Sequence, residues 1–443
     1  MSLASRESTT IVMFVARETC HVELFAQGAW HTAALVHVED TAQGTASPSR
    51  FEYDFDYLGR MGDSLGAQDA RAASCRYPLN YEDHPEPTWP AFLLDLIPAG
   101  AARRHWEGRL NLPNNSGSDW QVLVRGAGNP PGNVRIREAV EPPAEPDGHP
   151  GFSREEVVRR AADFIEYARA AGAPVSGSSG AGGDSPKFLL REDRNGRWHA
   201  DGALSDERTR RCWIVKFPRN RNDATDRLVL RAEAAYHGVA TRMGVRTQGC
   251  VEWEADCLFV ERFDRVVTDG TVRRLGLESL CSLAGVAAFG APIRKERLVA
   301  AAAQFVSDPA GDLREFLLRD VLDVALGNTD NHARNTSVLK HADGRIALSP
   351  LYDFAPMFLD PSGIARVSRW RDDHGFPDWE LVAEAMAPHG LEPAETRRWL
   401  RHLAGDVAAL PTIMSDCGVP ESVVASCEAR IRRVADALAG VRG

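Results

Sequence analysis

The sequence predicts an α+β fold in two lobes, with a β-rich subdomain at the N-terminus and an all-helical C-terminal lobe. Three observations lead there. The first ~140 positions begin with strand-like runs separated by turn residues. A proline-rich stretch then interrupts regular structure. From about Asp264 the apolar spacing becomes helical. Strands first and helices later is the pattern of segregated secondary structure. A chain of 443 residues has room for about three domains of ~150 residues.

Residues 10–16, 21–25 and 33–38 are β-branched and aromatic, with Gln27-Gly28 as a turn between the last two. Residues 51–57 alternate aromatic and acidic side chains, as a half-buried strand does. Residues 89–96 read as an apolar helix and 101–110 as an amphipathic one; 134–138 return to strand. The segment 141–151 holds four prolines and two glycines, so it reads as a linker. Ser153 and Glu156 form a capping box opening a helix to about residue 171. A glycine–serine loop, 176–187, feeds a strand at 188–190, and Arg194-Asn-Gly196 reads as a hairpin turn. Further strands are expected at 213–217 and 257–260, with a helix at 226–243 between them. A strongly apolar helix, 313–326, is followed by short strands at 336–339 and 346–348 and by helices from 379 onward. The expected units are 1–140, a linker 141–151, then 152–263 and 264–443.

Hydrophobic content of 44% and charged content of 26% are ordinary for a globular chain. A net charge of −10 argues against general affinity for nucleic acid or anionic membrane. Arg208, Arg210, Arg211, Lys216, Arg219, Arg221, Arg227 and Arg231 crowd one region, which reads first as a solvated surface. The eight cysteines include no C-x-x-C pair, which speaks against zinc and for reduced thiols. No apolar run approaches the ~20 residues needed to span a bilayer, and no signal peptide is apparent, so a cytoplasmic location is expected.

The chemistry concentrates in two stretches. In Gly327-Asn-Thr-Asp-Asn-His-Ala-Arg-Asn335, Asp330 and Asn335 stand in a D-x-x-x-x-N frame. In Leu351-Tyr-Asp-Phe-Ala-Pro356, Asp353 opens an Asp-Phe-Ala triplet. That is the layout of a phosphotransferase core: one Asp orients a hydroxyl nucleophile, and an Asn and a second Asp hold magnesium on ATP. Lys216, on a strand flanked by Ile214, Val215 and Phe217, and Glu233, on the following helix, suit an ion pair at the phosphates. The glycine–serine loop can present backbone N–H groups to phosphate. Backbone groups at Glu261–Phe263 lie where a hinge would pair with adenine. His332 reads as a loop histidine bonding backbone, there being no second histidine placed to share a metal.

These residues resemble the HipA family of serine/threonine kinases, the toxin components of bacterial toxin–antitoxin pairs. Residues 89–98 resemble that family's N-terminal "LLP" helix and 132–136 its closing strand. Ser185-Pro-Lys187 resembles the end of its phosphate loop, Trp213-Ile-Val-Lys-Phe-Pro218 its ATP-lysine strand, and Val260-Glu-Arg-Phe-Asp-Arg265 its hinge. The resemblance implies a protein-kinase-like fold and makes 152–263 the ATP-binding lobe. It implies ATP and Mg2+ at Gly182, Gly183, Ser185, Lys187, Lys216, Glu233, Glu261, Phe263, Asn335 and Asp353, with Asn335 and Asp353 on the metal and Asp330 catalytic. It implies a protein substrate from translation, such as an aminoacyl-tRNA synthetase, and a DNA-binding antitoxin as partner. It also implies autophosphorylation of a loop serine; counting back from Lys187 reaches Gly180, so Ser178 or Ser179 would serve. Residues 367–376 depart from the family pattern, and no helix-turn-helix is evident in the chain itself.

Two other classes stay open on the residues: a nucleotide-binding regulator that chiefly binds an antitoxin, and a metal-dependent hydrolase built on Asp330, His332 and Asp353.

Overall fold

A computed structural model describes residues 17–140, 148–160, 162–170, 185–220, 223–247 and 249–442. The expected strand at 10–16, most of the linker, and Ser178, Ser179, Gly182 and Gly183 lie outside the described residues.

The N-terminal part is a five-stranded antiparallel sheet in the order β4-β3-β2-β1-β5. Its strands are β1 (Glu18–Ala26), β2 (Ala29–Val38), β3 (Ser49–Tyr53), β4 (His84–Glu86) and β5 (Val134–Ile136). Gln27 and Gly28 join β1 to β2 with φ of 52° and 82°, the doubly positive signature of a tight hairpin. Helices α1 (Phe55–Arg60), α2 (Leu93–Leu96), α3 (Gly100–Leu110) and α4 (Asp119–Gly126) pack around it. Trp89, Trp120, Phe51 and Tyr57 fill the core between them.

The alternation over 51–57 does not continue as a strand. β3 stops at Tyr53, and Asp54 accepts hydrogen bonds from Asp56 N and Tyr57 N as the cap of α1. Tyr57 is buried from the helix, while Phe55 is 73% exposed. Capping chemistry beat the period of two. The apolar helix expected over 89–96 is shorter too: only the turn α2 forms, because Pro90 precedes it and Pro98 follows its end.

The second sheet has the order β7-β6-β8-β10-β9. It contains β6 (Lys187–Asp193), β7 (Trp198–Ala200), β8 (Thr209–Lys216), β9 (Val251–Glu254) and β10 (Cys257–Glu261). One face carries Trp213, Val215, Cys257 and Phe259, which pack with Phe164, Phe188 and Trp198. The opposite face carries Ile214, Lys216, Leu258 and Val260 and lines a cavity. Side-chain alternation therefore divides core from cleft residue by residue. The Ser153–Glu156 capping box forms. The helix it opens breaks at Arg160 (φ 52°), giving α5 (Arg154–Arg159) and α6 (Ala162–Ala170). Helix α7 (Ala224–Arg242) stands on the cavity face of the sheet, with Glu233 and His237 in the lining, and its N-cap Asp223 accepts from Thr225 N and Asp226 N.

The helical expectation from Asp264 begins too early. Strands β11 (Arg265–Thr268) and β12 (Thr271–Arg274) form a hairpin, and β13 (Gly276–Ser279) pairs with β14 (Ser337–Lys340), which pairs with β15 (Ile346–Leu348). The signal was present. Asp269-Gly270 between β-branched runs is a hairpin turn, with φ of 49° and 75°.

Helices complete the lobe: α8 (Leu280–Leu283), α9 (Lys295–Phe305), α10 (Pro309–Leu326), α11 (Trp379–Met386), α12 (Pro393–Ala408), α13 (Leu410–Asp416) and α14 (Glu421–Ala439). Helix α10 is buried on nearly every face. Asp308 caps its start with Pro309 behind, and Gly327 ends it at φ 73°. A Cβ at Gly327 would sit 2.4 Å from Phe358 Cδ1, so the turn demands glycine. All eight cysteines are free thiols. Among the described residues no helix is long and apolar enough to cross a membrane.

Candidate active site between the lobes

The turn at Gly327 delivers the loop that carries Asp330. Asn335 N bonds His332 O at 2.9 Å, curling the loop. The Asn335 amide Nδ2 donates to Asp330 O at 2.7 Å. A carbonyl can only accept, so the NH2 end must face it, and Oδ1 is the end left over. That oxygen is buried without a hydrogen-bond partner. Helix α8 anchors the loop from outside, with Leu280 N bonding Thr336 O at 2.8 Å and Cys281 N bonding Ala333 O at 3.2 Å.

Asp353 follows β15 at φ 50°, a left-handed conformation that Asp tolerates better than most residues. Phe354 beside it is buried in the helical core, 5.4 Å from the Tyr236 ring. The aromatic ring anchors this segment below, and the carboxylate turns toward the sheet above. There it meets two ammonium groups. Lys216 Nζ donates to Asp353 Oδ1, and Lys187 Nζ donates to Oδ2 at 3.4 Å. Lys216 also donates to Glu233 Oε1 on α7 at 2.5 Å.

Lys187 and Lys216 are direct partners across β6 and β8. Like charges opposite each other in a ladder repel, so the pair needs an anion between its ammonium groups. Burial alone would raise the Asp353 carboxyl, but Lys187 and Lys216 outweigh it and hold the group well below the usual carboxylate range. Lys216 is raised: burial lowers it, and the charges of Asp353 and Glu233 more than compensate. Lys187, with a longer contact and Lys216 beside it, is lowered, first by burial.

Asp330 behaves oppositely. Burial, then the nearby Asp353 charge, push it up to about 7, with Lys187 opposing. His332 is pushed down to about 4, first by burial and then by Arg334. Its Nδ1 accepts from Arg334 N at 3.2 Å, so the proton of the neutral ring sits on Nε2, 3.6 Å from Asp330 Oδ1. That backbone bond is the structural role expected of it.

Two adjoining cavities join these groups. Ile214, Leu258, Val260, Leu277 and Phe354 give the first an apolar wall, and Glu261 and Phe263 lie at its edge. The second is polar, lined by Ser185, Lys187, Lys216, Glu233, Asp330 and Asp353. Thus Asp330 and Asp353 face one chamber. Asn335 lines neither cavity and is tied to the site through Asp330 O.

With that geometry in view, comparison with known proteins places the chain. Residues 179–410, more than half of it, match the HipA-like C-terminal domain. The chain belongs to the HipA family. Among solved structures it is similar to a chain of the Shewanella oneidensis MR-1 toxin–antitoxin complex of HipA, HipB and operator DNA. There the TM-score is 0.66 at 17% identity, over 96% of this chain and 100% of that one. The proinflammatory kinase CtkA of Helicobacter pylori is more distant, with a TM-score of 0.35 at 13% identity over 59% of this chain and 93% of that one. No curated protein matches.

Sequence reasoning missed several residues of this HipA-family site. Arg219, read as part of a solvated arginine surface, lines the polar chamber and bonds Asp226 at 2.6 Å and Asp360 at 2.9 Å. It so ties the sheet lobe to the helical lobe. Behind the strand end at Glu261, the fully buried Arg262 donates to both oxygens of Asp264 (2.9 and 2.7 Å) and to Asp201 at 3.0 Å. Arg334, inside the catalytic-type loop, donates to Leu94 O of α2. The links to Asp360, Asp201 and Leu94 each join residues far apart in the chain, and no local pattern announces them.

Proposed function

We propose that this chain is an ATP- and Mg2+-dependent protein serine/threonine kinase that acts as the toxin of a toxin–antitoxin pair. The observation that carries the reading is the convergence of Lys187 and Lys216 on Asp353, with Asp330 facing the same chamber. The roles follow from chemistry. The paired ammonium groups suit phosphate oxygens, which can take the place of the Asp353 carboxylate between them. Glu233 keeps Lys216 charged and aimed. The apolar first cavity suits a purine ring, with backbone at Glu261 and Phe263 at its edge.

Asn335 Oδ1 and the Asp353 carboxylate fit a hard divalent cation, which prefers oxygen donors. Among the described residues no group of three or more His, Cys, Asp or Glu could hold a metal. Two protein oxygens, with phosphate and water supplying the rest, match magnesium rather than a dedicated cage. Bound there, Mg2+ would neutralise charge building on the phosphate oxygens. Asp330 orients the acceptor hydroxyl and takes its proton.

The similar Shewanella HipA is found with HipB and operator DNA; by analogy the partner here is a DNA-binding antitoxin. The acceptor would be a translation protein, with Ser178 or Ser179 as self-modification sites. The test is incubation with γ-labelled ATP, Mg2+ and bacterial extract. Wild type should label protein, and Asp330→Ala and Asp353→Ala should lose at least about 100-fold. Equal labelling by all three overturns the reading, and ATP binding without transfer leaves a nucleotide-binding regulator.

A further inference from the structure

A third cavity, of about 790 Å³, opens on the far side of Asp330. The N-terminal unit forms one wall, through residues 98–100 and 114–116; the helical lobe forms the other, through 288–291 and Ile364, Ala365 and Val367. Lys187, Lys216, Glu233 and Asp353 do not line it. Among the described residues, Asp330 alone lines both this groove and the polar chamber. A group that must meet a phosphate on one side and a hydroxyl on the other belongs at such a junction.

The two arginines that line the groove are already engaged. Arg103 is held by Glu107 and Asp119, each at 2.7 Å, and donates to Asn115 O at 3.0 Å. Arg334 is committed to Leu94 O and lies 5.0 Å over the Phe289 ring. The large side chains left open to a ligand are apolar: Phe289, 39% exposed, on one side of the groove, with Ile364 and Val367 in the facing segment. The walls near the mouth are loops rather than helix interiors, so backbone groups and the exposed Asn114 and Ser116 can meet an extended chain. The volume lies within the ~300–1,000 Å³ of ligand-sized clefts, enough for a few residues of polypeptide and too small for a folded domain.

We propose that this groove seats the phosphoacceptor as an extended polypeptide segment, selected by apolar contact with Phe289 and Ile364 and not by charge, and that the N-terminal unit thereby takes part in substrate choice. This rests on the kinase reading. In the step itself the serine or threonine oxygen forms a bond to the γ-phosphorus of ATP. The bond from that phosphorus to the β–γ bridging oxygen breaks, ADP leaves, and the hydroxyl proton passes to Asp330.

The test uses the full chain, γ-labelled ATP with Mg2+, and a library of serine- and threonine-centred peptides with apolar, basic or acidic flanks. Apolar flanks should be preferred. Phe289→Ala and, on the other wall, Ile364→Glu should each raise the peptide KM by about tenfold or more, with kcat and ATP affinity within about twofold. Phe289→Leu should restore most of the loss, which a folding defect would not allow. Three results overturn the groove: Asp330-dependent transfer indifferent to both variants, a preference for charged flanks, or transfer to folded proteins with every peptide refused. Transfer that survives Asp330→Ala, or no transfer to any acceptor, overturns the kinase reading instead.

Discussion

Asp330 and Asp353 are the same residue type facing one chamber, and their surroundings drive them apart. Asp353 is kept ionised by two lysines; Asp330 is pushed up to about 7 by burial and by Asp353 itself. In the proposed kinase Asp330 is the base and must be deprotonated to accept a proton, so transfer should fall as pH drops through about 7, roughly tenfold per unit on the acid limb. Lys187 opposes the upward shift. Removing its charge in Lys187→Met should therefore move the acid limb to higher pH, measurable as kcat/KM against pH. Stability has the opposite sign. A carboxyl raised on folding favours the protonated native state, so its contribution is greatest below the unfolded pKa of ~3.9 and erodes as pH rises toward about 7. Asp330→Asn should melt higher than wild type at pH 8 while losing transfer. Both aspartates were legible in the sequence because a short loop and a strand end present them. Arg334 was not, because its acceptor, Leu94 O, lies 240 residues away.

At the scale of elements, the segment that follows β10 rests on buried charge. Arg262 and Arg265 both bond Asp264, and Asp201 bridges Arg262 to Arg191. Burial opposes the Asp264 anion, but Arg262 and Arg265 win and hold it below the ordinary carboxylate range. Such a group contributes stability above its unfolded pKa of ~3.9 and loses it as pH falls toward the depressed native value. Asp264→Ala should cost about 3–5 kcal/mol in chemical denaturation, because it strands the buried Arg265 guanidinium and leaves Arg262 with Asp201 alone. It should also loosen Gly132, whose N–H donates to Asp264 at 2.7 Å. None of this is written in periodicity, which sees strands and helices but not the salt links beneath them. Elements read correctly, such as β8 and α10, have one strong apolar signature. Those misread, such as β3 and the β11–β12 hairpin, set two signals against each other: alternation against an Asp cap, and an Asp-Gly turn inside a stretch read as helical.

For the whole molecule, the question is how the N-terminal unit comes to bear on chemistry in the helical lobe. A second buried ion pair makes the joint. Glu278 on β13 accepts from Ser74 Oγ at 2.5 Å, Cys75 N at 2.8 Å and Ser282 Oγ at 2.7 Å, and lies 3.3 Å from Lys340 on β14. Lys340, fully buried, donates to the carbonyls of Ala72 and Ala73 at 3.1 and 3.3 Å. Two strands of the helical lobe thus grip residues 72–75 of the N-terminal unit, while Asp95 accepts from Ser279 N at 2.8 Å. Lys340→Met should destabilise by about 3–5 kcal/mol, since it leaves the Glu278 charge buried without its counter-ion. Adding Glu278→Gln removes that stranded charge, so the double variant should recover part of the loss, and a double-mutant cycle should give a coupling of about 1–3 kcal/mol. Additive effects would mean that the carboxylate is satisfied by its hydroxyl and amide donors alone. If the joint also holds the catalytic loop, through Arg334 and Leu94, transfer by Lys340→Met should fall more than nucleotide affinity does, and the double variant should recover both stability and transfer.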